Sequence, residues 1–147
     1  MSTRALELLA RLEQQELDRQ RRKLAGEETV RERLEHSRQR TRTAIGEAID
    51  GIEQLHAGSD GGPEALPLDV AARLIEGGRR RASDLERAMT IQERRCHAAR
   101  EELNERIVAV KRLEIVAERR RRAARAQRDR REQQEMEENA IMRHGRE

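Results

Sequence analysis

Stepping by seven residues from Leu68 meets Ile75, Ala82, Met89, Cys96, Leu103, Val110, Ala117 and Ala124, nine apolar positions in succession. The companion row, Ala71, Gly78, Leu85, Gln92, Ala99, Arg106 and Leu113, is mostly apolar or small. A seven-residue period sustained this long predicts a helix with a coiled-coil seam. The first third of the chain carries a looser version. One of its rows reads Ala10, Leu17, Leu24, Arg31, Arg38, Ile45 and Ile52; the other reads Leu6, Glu13, Gln20, Glu27, Leu34, Thr41, Ala48 and Leu55. That seam is apolar near both ends and polar from Gly26 to Thr43, where weaker packing or local irregularity is expected. Gly26, Gly46 and Gly51 lower the intrinsic helicity of this half further.

Between the two patterns, the stretch from His56 to Pro67 holds both prolines and a cluster of glycines. Glycine is costly in a helix, and proline removes a donor and clashes, so a loop is expected here. Pro67 and Asp69 suit the first turn of the following helix. The predicted organisation is a single coiled-coil domain over 1–147: helix 3–57, loop 58–67, helix 68–142 and a tail 143–147. At about 1.5 Å per residue the first helix would run roughly 80 Å and the second roughly 110 Å. A short loop makes such helices antiparallel neighbours. The expected fold is therefore all-α, an antiparallel coiled-coil hairpin in which the second helix overhangs the first beyond about Arg120.

Composition sharpens this picture. The chain has 147 residues, no Phe, Trp or Tyr, and 41% charged residues. Leu, Ile, Val, Met and Ala can fill a narrow seam, but a rounded core of this size normally draws on aromatic side chains. The 32 basic and 29 acidic residues are well mixed, for a net charge of +3. Helix-forming residues dominate, so disorder becomes an expectation for the ends alone. A lone cysteine excludes an internal disulfide and fits a reducing cytoplasm. No apolar run is long enough to span a membrane, and Arg4 and Glu7 argue against a signal peptide.

Candidate chemistry concentrates in the overhang. From Arg119 to Arg131 there are eight arginines and one acid; Glu132, Glu135, Glu137 and Glu138 then reverse the sign. Such blocks can steer a charged partner, and the plain alternative is a solvated helix surface. Met136, Ile141 and Met142 are apolar residues in the same segment, fitting either a docking surface or a frayed end. No catalytic, cofactor or metal constellation is present. Gly58-Ser59-Asp60-Gly61-Gly62 lacks the Lys-Ser or Lys-Thr of a phosphate loop, and His36, His56, His97 and His144 lack metal-ligand spacing. Cys96 falls on the apolar row and reads as a buried thiol. Two helices alone offer carboxylates no cleft to tune them, so an enzyme is the most distant reading.

The segment Gln133-Gln134-Glu135-Met136-Glu137-Glu138-Asn139-Ala140 resembles the Gln-x-x-Met-acid-Glu-x-Ala ending of the flagellar FliJ family, small cytoplasmic proteins of the type III export apparatus. Arg143 soon after, the chain length and the two-helix layout also fit. The resemblance implies a coiled coil similar to the central stalk of rotary ATPases. It further implies three partners: the hexameric flagellar export ATPase, the export gate protein and export chaperones. The location it implies is cytoplasmic, peripheral to the inner-membrane export apparatus, with no direct membrane insertion. On that reading Arg119, Arg120, Arg121, Arg122, Arg125 and Arg128 sit in or near the ATPase pore. Gln133, Met136, Glu137 and Glu138 carry over from the motif. Family members place aromatic and apolar residues near the start of the second helix to meet the gate. This chain offers Leu68, Leu74 and Ile75, of which only Leu74 stands clear of the seam.

Three other readings stay open at this level. The equivalent stalk of a virulence type III secretion system shares fold and mechanism. A nucleic-acid-binding coiled coil would use the arginines against phosphates, but no aromatic can stack on bases and acids interrupt the basic face. A structural homodimer would pair the second-helix seam with another copy.

Overall fold

The computed structural model describes residues 2–56 and 67–146, all of them in two helices or their flanks. Helix α1 spans Thr3–His56 and α2 spans Leu68–His144, and the two pack against each other. The predicted loop, apart from Pro67, lies outside the described residues, as does Ala57 at the expected end of the first helix.

Local chemistry explains the helix ends. Ser2 caps α1: its Oγ accepts from the Ala5 amide at 3.2 Å and its carbonyl from Leu6 at 3.1 Å, satisfying donors that have no partner inside the helix. Pro67 lies just before α2, where its carbonyl accepts the Ala71 amide at 3.0 Å, and Asp69 stands in the first turn. α2 continues two residues past the expected end at Met142, so the tail expected from 143 shrinks. Arg143 and His144 complete its last turn, where positive charge opposes the helix dipole, and the Gly145 amide closes onto the Ile141 carbonyl at 2.9 Å.

The packing forms two compact units: Met1–Arg21 with Glu102–Glu147, and Arg22–Glu101. In the first, Leu6 and Leu17 of α1 and Val110 and Ala117 of α2 are buried, and Arg106 donates to Glu13 Oε2 at 3.2 Å. Each large aliphatic side chain so covered contributes roughly 1.5–3 kcal/mol. The 22–101 unit buries Ala71, Met89, Cys96 and Ala99, together with Thr41 and Gln92. Its cross-helix partners run Arg31 to Glu93, Arg38 to Glu86 and Ile45 to Gly78. As one number rises the other falls, so the helices there are antiparallel.

The polar stretch of α1 needs a correction. α1 passes through Gly26 to Thr43 without a break, because its polar seam positions find polar partners across the interface. Gln92 is buried and its Nε2 donates to the Glu27 carbonyl at 2.8 Å and to the Glu27 carboxylate. Arg100 reaches Glu28 at 3.5 Å. Arg38 Nε lies 3.1 Å from Glu86 Oε1 but off the donor line, so the pair is ionic without a good hydrogen bond. Packing is nonetheless thinner here: between Leu17 and Thr41 no described α1 residue is fully buried.

Candidate functional site

Among the described residues two places carry the exposed chemistry considered for function, one in each unit. The first is the far part of α2. Every described residue from Arg119 to Arg146 is exposed, although the chain stays helical to His144. Ala, Arg, Glu and Gln favour helix on their own, and short-range ion pairs add to that. Glu118 holds Arg122 at 3.1 Å and Arg121 at 3.9 Å, and Gln133 donates to Glu137 at 3.5 Å. Arg119, Arg120, Arg121, Arg122, Arg125 and Arg128 thus form an exposed cationic surface. Gln133, Met136, Glu137 and Glu138 follow on an equally exposed stretch. Met136, Asn139, Ala140 and Arg143 line a shallow depression on that stretch.

The second place is a groove of about 620 Å³ in the 22–101 unit, beside a close approach of α1 and α2. Gly78 makes the approach possible: a Cβ there would sit 2.8 Å from Ile45 Cγ1. Leu74 lies on the groove wall and is 54% exposed. Arg40, Arg73 and Arg81 stand around it, and among the described residues no carboxylate lines it. Sequence reasoning singled out Leu74 but missed the groove. The available signal was Gly77-Gly78, two adjacent glycines inside a helix beside three consecutive arginines.

The heptad row meets mixed surroundings. Met89, Cys96, Val110 and Ala117 are buried, and Ile75, Ala82 and Leu103 are half-buried. Leu68 and Ala124, at the two ends of the row, are exposed and so depart from the expected seam. Leu68 is the first residue of α2, and Ala124 lies in the stretch of α2 from Arg119 onward whose described residues are all exposed. Cys96 is sealed, with 2% of its surface exposed. His97 is exposed and sits 3.1 Å from Glu101.

Among the described residues no three His, Cys, Asp or Glu side chains converge to hold a metal ion. No described helix is long and apolar enough to cross a membrane.

No curated protein and no solved structure matches the chain. The sequence model of one family, described as flagellar FliJ protein, matches residues 1–147, the whole length. The chain belongs to the flagellar FliJ protein family, and with it to the components of flagellar type III protein export.

Proposed function

We propose that this chain works as a single coiled-coil domain with the role of a central stalk in flagellar export. It binds the hexameric export ATPase and couples that ring to the export gate and to export chaperones. The observation that carries this reading is the bare carboxyl-terminal part of α2. A helix that keeps its fold with every side chain exposed is suited to being covered by a partner. Extending beyond the start of α1, it would present Arg119, Arg120, Arg121, Arg122, Arg125 and Arg128, then Gln133, Met136, Glu137 and Glu138, to the inside of the ring. Positive charge developed over a short length speeds and orients capture by an acidic surface.

The remaining assignments follow the same logic. The row Ile75, Ala82, Met89, Cys96, Leu103, Val110 and Ala117 is the seam that stiffens the stalk. Exposed Leu74, on the wall of the groove, is the contact for the export gate. The working location is cytoplasmic, at the inner face of the membrane. An asymmetric body inside a six-fold ring contacts its subunits unequally, and so can bias their assembly or turnover without catalytic groups of its own.

ATP turnover by the cognate ATPase, measured with the full chain and with a truncation ending at Glu118, tests the proposal. Stimulation by the full chain that disappears on truncation supports it. An assembled ATPase indifferent to both proteins overturns the ATPase contact.

A further inference from the structure

The groove and the end of α2 are complementary surfaces on one chain. The groove presents Arg40, Arg73 and Arg81 around apolar Ile45 and Leu74, with no acid on its lining among the described residues. Among the described residues neither Arg73 nor Arg81 has a charged or hydrogen-bonded partner, and Arg40 meets only the Ser37 hydroxyl at 3.3 Å. Gly77 deepens the groove, yet a Cβ there would touch nothing within 4 Å. Helix packing therefore does not require that glycine, and glycine is disfavoured inside a helix. Its effect is to leave room.

Near the end of α2, Glu135, Glu138, Ile141 and Met142 share one face, because residues three and four apart are neighbours on a helix. Ile141 is 71% exposed and Met142 61%. Two carboxylates followed one turn later by two aliphatic side chains match arginines set around an aliphatic floor. Gln133, Met136, Glu137 and Ala140 lie towards the opposite side, so this face is separate from most of the family motif.

We propose that the Glu135, Glu138, Ile141 and Met142 face of one copy docks in the Arg40, Arg73 and Arg81 groove of a second copy. Arg73, Leu74 and Arg81 of the groove lie on α2, as the docking face does, and a continuous helix cannot fold back on itself, so the occupant comes from another molecule. The carboxylates pair with Arg73 and Arg81, while Ile141 and Met142 cover Leu74 and Ile45. The contact differs from a pairing of α2 seams, since the buried row stays within each copy. In the free protein it covers the groove and part of the bare helix at once, so partners that use those surfaces compete with self-association.

The test uses the full chain alone, which keeps it independent of the ATPase and gate assignments. Sedimentation equilibrium from about 1 µM to about 1 mM is expected to show the mass rising above 17.1 kDa with concentration. Roughly 0.5 M salt is expected to suppress the rise. R73E/R81E and E135R/E138R are each expected to weaken association by at least about tenfold, with helix content by circular dichroism unchanged. Mixing the two variants restores it, because each then offers a surface opposite in charge to one on the other. A wild-type chain that stays monomeric throughout overturns the proposal, as does a mixture that fails to recover. Association untouched by either charge reversal also overturns it, by placing the contact elsewhere.

Discussion

Val110 and Ala124 occupy the same heptad row of the same helix, in the same compact unit, yet one is buried and the other exposed. Around Val110 the helix gains its order from burial, in a unit where Leu6 and Leu17 of α1 are buried too. Around Ala124 it relies on intrinsic propensity and on pairs such as Glu118 with Arg122. The difference teaches that a heptad row records where a helix can be covered, and the opposite strand decides where it is. Alanine makes the pattern ambiguous, because it continues an apolar row at almost no cost when solvent surrounds it.

Replacing each of the pair with aspartate should separate them most strongly. Val110→Asp sets a carboxylate in the seam and is expected to cost about 3 kcal/mol or more. Ala124→Asp is expected to change stability by less than about 1 kcal/mol. Thermal melts followed by circular dichroism read both, and similar melting temperatures for the two variants would sink the distinction.

The polar middle of the interface offers a second, smaller contrast. Gln92→Ala removes the buried amide that bonds Glu27 and leaves a space, with an expected loss of about 1–2 kcal/mol in urea unfolding. Arg38→Ala, which deletes a half-exposed ion pair with Glu86, is expected to cost under about 1 kcal/mol and to matter less in salt. A larger loss for Arg38→Ala than for Gln92→Ala would reverse the ranking of buried amide over surface charge.

The adjacent glycines give the smallest effects, of opposite sign. Gly77→Ala meets open space and should stabilise by up to about 1 kcal/mol through helix propensity. Gly78→Ala drives a methyl group towards Ile45 Cγ1 and should destabilise by about 1 kcal/mol after the same propensity gain. Equal shifts in melting temperature would mean that the close approach at Gly78 relaxes freely.

Much of the fold is legible in the chain because a period of seven needs only residue types to be seen. Leu6, Leu17, Met89, Cys96 and Ala117 all fall on rows that can be counted by hand, and all are buried. What escapes the pattern is pairing across the interface. Nothing in the spacing of Glu27 and Gln92 says that they will meet, so the polar middle of α1 reads as a place for irregularity, when matched partners carry the helix through it unbroken despite its thinner packing. The groove escapes for a related reason, since its arginines come from two separate segments. Gly77-Gly78 marks its position in sequence but gives no hint that one glycine is required by packing and the other is not. The exposed arginine run of α2 is the most legible part of the candidate site, because charge clustering, unlike shape, survives in one dimension.

The sealed position of Cys96 makes the molecule its own opening gauge. A thiol enclosed between two helices reacts with an added alkylating reagent only during moments when those helices part. With a single sulfur in thiol form along the entire chain, each modification event reports one excursion at one known point. The labelling rate therefore counts how often the seam breathes, and any partner that clamps or pries apart the helix pair there would slow or quicken the clock.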